Sequence, residues 1–263
     1  MLDFNNYLIK RVYLLNGETH KRPIIILHGF FASVRNWRAC AEKLSKDYCV
    51  YALDARNHGA SAHHGLMDYN VMTGDVMRFI DQQALAEVNI VGHSMGGKTA
   101  MWLALNYPEY IDNLIVVDIA PISYTHSFAP LINSLKSLPL SSLTNRKQAE
   151  LQLAESIPEL SYRQFLLQNL FLINGTYTWR VNLDIFERNG DNIIAFPNTD
   201  NTPPFYGNTL FISGEKSNYI PRNSTQALFP SAKHQIVANA EHWVHVQQPD
   251  AFIKAVTDFL PTL

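Results

Sequence analysis

Cysteine is scarce in this chain: Cys40 and Cys49 are the only two among 263 residues. That excludes a disulfide framework and a cysteine-built metal site. One falls on an expected helix and the other on an expected strand, so both read as buried thiols of a cytoplasmic protein. Long apolar runs are missing too, and no stretch approaches the roughly 20 residues that span a bilayer. Residues 1–10 lack the basic start and apolar run of a secretory signal. Charge is sparse and balanced, with 21 Lys and Arg against 23 Asp and Glu, and no basic run exceeds Lys10-Arg11 or Lys21-Arg22. Nothing there suggests a nucleic-acid surface. The chain also has no internal repeat and no low-complexity segment.

What is present is an alternation. Segment 7–15, closed by Asn16-Gly17, reads as an edge hairpin. Short apolar runs follow at 24–27, 50–53, 88–91 and 114–117, then at 210–213 and 235–237, and each reads as a strand. Helical patterns at 37–44, 71–85 and 97–107 separate the early strands. Met72, Val76, Phe79, Ile80 and Gln83 carry the spacing of a half-buried helix, and Pro108 marks the end of the third helix. Strand-helix alternation implies a mostly parallel sheet covered on both faces.

The alternation fails between residues 121 and 207. Helical patterns at 130–138, 145–156, 162–172 and 183–186 replace it, with no clear strand. The turn-rich Asn198-Thr199-Asp200-Asn201-Thr202-Pro203-Pro204 closes the stretch. The expected organisation is a core of residues 1–120 and 208–263 and an inserted helical cap of residues 121–207.

Gly92-His93-Ser94-Met95-Gly96 fits G-x-S-x-G, and its setting makes it specific. A strand runs directly into it and a helix runs directly out, as in a nucleophile elbow. Glycines on either side let the backbone crowd there, and a helix N-terminus behind Ser94 favours developing negative charge. Acyl chemistry at such a serine needs two N–H donors for the oxyanion. Met95 is one candidate. The other comes from His28-Gly29-Phe30-Phe31 after the first buried strand, with Phe30 preferred and Phe31 the fallback. His28, at a strand end, reads as a residue that shapes the loop.

The elbow carries its partners in the chain order serine, acid, histidine. Of ten histidines, His242 follows the last strand within Ala240-Glu241-His242-Trp243. His245 is better placed to open the next turn, and His234 begins the strand at its wrong edge. His63-His64 read as solvated loop. An acid commonly follows the strand before the last, but there the chain reads Gly214-Glu215-Lys216-Ser217, with Ser217 where aspartate is expected. The stronger candidate is Asp118, at the tip of the strand next to the nucleophile's; Glu215 is the other.

These segments resemble a named group. His28-Gly29-Phe30-Phe31, Asp54-Ala55-Arg56-Asn57-His58-Gly59, Gly92-His93-Ser94-Met95-Gly96-Gly97-Lys98, Val117-Asp118-Ile119-Ala120-Pro121 and His242-Trp243-Val244-His245 look like the small YbfF-type bacterial esterases and their mitochondrial relatives. The resemblance spans most of the chain and is weakest in the cap. It implies an α/β-hydrolase fold and cofactor-free hydrolysis of carboxylic esters or acyl thioesters, with no metal. It assigns the acid to Asp118. One departure is Glu241, where a glycine commonly precedes the histidine.

The resulting expectation is a serine hydrolase with Ser94, Asp118 and His242 as its triad and the amides of Phe30 and Met95 as its oxyanion hole. Leu131, Leu135, Phe165 and Phe171 are candidate pocket wall in the cap, for small acyl substrates of short to medium length, with long acyl chains as the alternative if the pocket is wider. A C–C bond hydrolase, a cofactor-free perhydrolase and a non-catalytic ligand-binding protein are the alternatives on the same scaffold.

Overall fold

The computed structural model describes residues 12–15 and 21–261. Within the expected edge hairpin, residues 7–11 and Asn16-Gly17 lie outside the described residues. Val12–Leu15 (β1) is a strand that pairs antiparallel with the edge of the sheet.

Six further strands make up that sheet: Pro23–Leu27 (β2), Cys49–Leu53 (β3), Val88–His93 (β4), Ile111–Val117 (β5), Asn208–Gly214 (β8) and Lys233–Val237 (β9). Their spatial order is β1-β3-β2-β4-β5-β8-β9, and every pairing except that of β1 is parallel. Both faces of β2, β3, β4, β5 and β8 are covered, so the alternate side chains of these strands feed two separate cores. Ile25, Leu27, Ile90 and Val116 face Met72, Val76, Phe79 and Ile80 of helix α2 (Tyr69–Gln82) and the apolar side of α3 (Met95–Asn106). Ile24, Ile26, Val91 and Val117 face α1 (Arg38–Leu44) and α8 (Pro249–Phe259). Cys40 and Cys49 are buried and unpaired, as expected.

Helix α2 begins at Tyr69, two residues before the expected start, because Asp68 caps it by accepting from the Val71 amide at 3.0 Å. Between β5 and β8 the chain folds α4 (Ala129–Lys136), α5 (Arg146–Gln152), α6 (Leu160–Leu166) and α7 (Leu183–Ile194). Ile132, Leu135, Leu166 and Phe186 of this insertion join the same core that α2 and α3 close.

The insertion is not wholly helical. Leu170–Ile173 (β6) and Thr176–Trp179 (β7) form an antiparallel hairpin where the periodicity predicts a helix through residue 172. The signal was Asn174-Gly175: both take positive φ, 49° and 80°, the conformation of a two-residue turn whose twist matches a hairpin. The apolar run before it could not by itself distinguish strand from helix. Among the described residues, no helix is long and apolar enough to cross a membrane.

Candidate active site

β4 delivers Ser94 into a turn of φ 52° and ψ −117°, where a non-glycine residue is strained. The crowding that forces this turn is measurable at its glycines. A Cβ on Gly92 would lie 2.4 Å from the Gly96 carbonyl oxygen, and one on Gly96 would lie 2.3 Å from that of Leu27. The Ser94 amide donates to the Val117 carbonyl at 3.1 Å, which ties the elbow to the neighbouring strand tip. Met95 opens α3, and the first amides of a helix have no intrahelical acceptor.

Asp118 directly follows β5 and is also held at positive φ, 51°. Its amide donates to Ile212 of β8 at 2.8 Å. Its carboxylate is wholly buried and receives three donors. The Gly214 amide reaches Oδ1 at 3.1 Å, the Ser217 hydroxyl reaches Oδ2 at 2.5 Å, and His242 Nδ1 reaches Oδ2 at 2.8 Å. A carboxylate so supplied is an acceptor, so Nδ1 of His242 is the nitrogen that donates in this bond. Tyr219 stacks on the His242 ring at 4.1 Å between centroids. From the other side, the Nε2–H of His93 donates to the His242 carbonyl at 2.9 Å. Burial, and then the neighbouring His242, hold the His93 imidazole well below the ordinary histidine value.

The other candidates go elsewhere. Glu215 is exposed and accepts from the Asn239 amide at 2.9 Å, bracing one loop against the next. His245 is buried and stacked on Trp37 at 4.0 Å with the rings 5° from parallel. Burial first, then His242, takes its imidazole down to about 3. His28 donates through Nδ1 to Gly29 and accepts the Ala55 amide on Nε2, a loop-shaping role. His64 is not merely solvated, since its Nδ1 accepts the Leu66 amide at 3.1 Å.

Asp54-Ala55-Arg56-Asn57-His58-Gly59 packs behind the loop that carries Phe30 and Phe31. Asp54 accepts the amides of Val34 and Ala60, both at 2.8 Å. Arg56 grips Asp75 of α2 through two bonds of 2.7 and 2.8 Å in a buried, bidentate pair. His58 donates through Nδ1 to Arg56 and accepts the Phe31 amide on Nε2 at 3.2 Å. The Phe31 amide is therefore already engaged, which leaves Phe30 as the better candidate for the second oxyanion donor.

Ser94, His242, Phe30 and Met95 line one cavity of about 550 Å³, within the range of small-molecule sites. Its lining includes the apolar Ile119, Phe128 and Ile193 with Tyr124, and the mutually packed rings of Tyr162, Phe165 and Trp243. Of the four expected wall residues only Phe165 lines it. Leu135 is fully buried core, Leu131 packs against that core, and Phe171 lies 3.7 Å from the Arg180 guanidinium. A helical pattern identifies an apolar side chain but not which of two apolar environments it enters.

Sequence reasoning passed over Lys98 and Tyr124. Lys98 sits one helical turn after Ser94 and is buried. It donates to the carbonyls of Ile194 and Ala195, the C-terminal end of α7, at 2.6 and 2.9 Å. It also faces the Tyr124 ring at 4.7 Å. The Tyr124 hydroxyl donates to the Tyr219 carbonyl at 2.5 Å and accepts the Ala120 amide at 2.9 Å, clamping the two loops that flank Asp118 and Ser217. A lysine inside an otherwise apolar helix was the available signal for the first; nothing local marked the second.

The chain as a whole has relatives among known proteins. The family model described as alpha/beta hydrolase fold matches residues 22–249. The chain is 38% identical over 258 residues to the zebrafish (Danio rerio) protein named sn-1-specific diacylglycerol lipase ABHD11, covering 94% of this chain and 81% of that protein. It is 30% identical over 254 residues to esterase YbfF of Escherichia coli, covering 95% of this chain and 97% of that one. Among solved structures, a marine microorganism esterase superposes with a TM-score of 0.89 at 39% identity, over 95% of this chain and 98% of that one.

Proposed function

The chain belongs to the alpha/beta hydrolase fold family, and from that premise we propose that it is a serine esterase acting through an acyl-enzyme on Ser94. The observation that carries the reading is the 2.8 Å bond from His242 Nδ1 to Asp118, which leaves Nε2 as a base beside a cavity shared with Ser94. Ser94 Oγ attacks the acyl carbonyl while Nε2 takes its proton. The carbonyl oxygen becomes an oxyanion that the amides of Phe30 and Met95 receive, in a site where such donors need no reorganisation. The tetrahedral species collapses as His242 returns the proton to the departing alcohol or thiol. Water then repeats the cycle at the acyl-enzyme and frees the acid.

In this reading residues 121–207 act as a cap over the cavity, and the Ile119, Phe128 and Ile193 wall takes a short to medium acyl chain. Each buried CH₂ adds roughly 0.8 kcal/mol of binding. The likeness to proteins named as an esterase and a diacylglycerol lipase supports carboxylic esters as the substrate class. Two buried thiols fit a cytoplasmic setting.

A fluorophosphonate probe tests the assignment by labelling Ser94 in the wild type and failing on Ser94→Ala. That variant should fold normally and lose on the order of a million-fold in kcat. A panel of p-nitrophenyl esters from acetyl to octanoyl then reads the pocket. Flat kcat/KM along the series would count against an apolar acyl site, and no turnover at all would favour a C–C bond hydrolase or a perhydrolase.

A further inference from the structure

Ser217 stands where the fold usually carries its acid, on the loop after β8, and its hydroxyl is bonded to the carboxylate that β5 supplies instead. The direction of that bond is settled by its surroundings. The Tyr219 amide donates to Ser217 Oγ at 3.3 Å, so the hydroxyl spends a lone pair there and its proton goes to Asp118. The acceptor is Oδ2, the same oxygen that receives His242 Nδ1–H, while Oδ1 is held by the Gly214 amide. Two protons from different loops thus compete for one buried oxygen.

We infer that Ser217 is a positioning residue for the proposed triad, fixing the rotation of the Asp118 carboxylate and limiting how strongly Oδ2 pulls on the His242 proton. This rests on the esterase reading above. The other titratable groups facing the pair are His93, His245, His126, Tyr124 and Tyr219. Burial lowers all three of these histidines and raises both tyrosines, which favours the neutral form of each. Oδ2 therefore meets two donors of contrasting kind: a neutral hydroxyl and an imidazole that becomes cationic during turnover. A donor shared at one oxygen draws electron density from the other bond, and charge-assisted bonds of this type are the strong ones in a buried site.

The experiment is the pH profile of kcat/KM for Ser217→Ala and Ser217→Thr beside the wild type, with melting temperatures recorded for each. Removal of the hydroxyl concentrates Oδ2 on the imidazolium, so the acid limb of the Ser217→Ala profile should move to higher pH. The loosened carboxylate should lower kcat about tenfold with KM little changed, the equivalent of one lost hydrogen bond to a charged group. Ser217→Thr keeps the hydroxyl and should restore both kcat and the position of the limb. The inference is overturned if Ser217→Ala matches the wild type in rate and profile. It is also overturned if the threonine variant shares the loss and both losses track melting temperature, which would make the residue merely structural. Failure of the underlying reading has a separate signature: Ser94 would escape the fluorophosphonate probe, or Asp118→Asn would keep full activity.

Discussion

The imidazole of His93 donates to the backbone carbonyl of His242 at 2.9 Å, so the residue before the proposed nucleophile holds the loop of the proposed base. Elbow and base loop come from β4 and from the segment after β9, which are not neighbours in the sheet. His93→Leu removes the donor while keeping an apolar filling. It should lower kcat about tenfold, since one lost bond at a part-buried carbonyl costs about 1.5 kcal/mol. Fluorophosphonate labelling at a reduced rate, rather than none, would accompany it. An unchanged kcat would mean that the His242 loop holds its place without this bond.

Asp118 and Glu215 can be separated by their amides. Asp118→Asn should cost on the order of a thousand-fold or more in kcat, because the amide presents the wrong partner to Nδ1. Glu215→Gln still accepts from the Asn239 amide and should stay within about threefold, less than roughly 0.7 kcal/mol. The reverse pattern would return the acid to the loop after β8.

His242 and His245 differ in the same way. Turnover needs a neutral base, so activity should fall on acidification as a single proton is taken up. His242→Ala should abolish it. His245→Phe keeps the stack on Trp37 and should keep both rate and profile, because an imidazole held down at about 3 is neutral throughout the working range. An inactive His245→Phe with normal melting would contradict the assignment.

Lys98 gives a stability signature that depends on pH. Burial lowers its ammonium from 10.5 to about 7. Unfolding returns the side chain to water, so between those values the unfolded chain holds a proton that the folded chain has released. Stability contributed at this site therefore rises with pH across that window. Lys98→Met removes the titration, and the Tm difference between the two proteins should move in favour of the wild type from about pH 7 to about pH 10. A difference that stays constant over this range would show that the carbonyls of Ile194 and Ala195 and the Tyr124 ring keep the cation protonated.

Residues near in the chain settled much of this protein on their own. Alternating apolar runs imply a covered parallel sheet because each strand must bury both faces, and the observed register splits Ile24 and Ile26 from Ile25 and Leu27 accordingly. Gly92 and Gly96 around Ser94 imply a crowded turn because only a residue without Cβ fits there. The chain order of serine, acid and histidine then picks a few candidates from many. What no local pattern carries is the partner of each polar group. Ser217 reaches Asp118 across 99 residues, Lys98 reaches the end of α7 across 96, and His58 secures Phe31 across 27. A buried donor must find an acceptor wherever the packed elements present one, and only the closed tertiary structure decides which element that is.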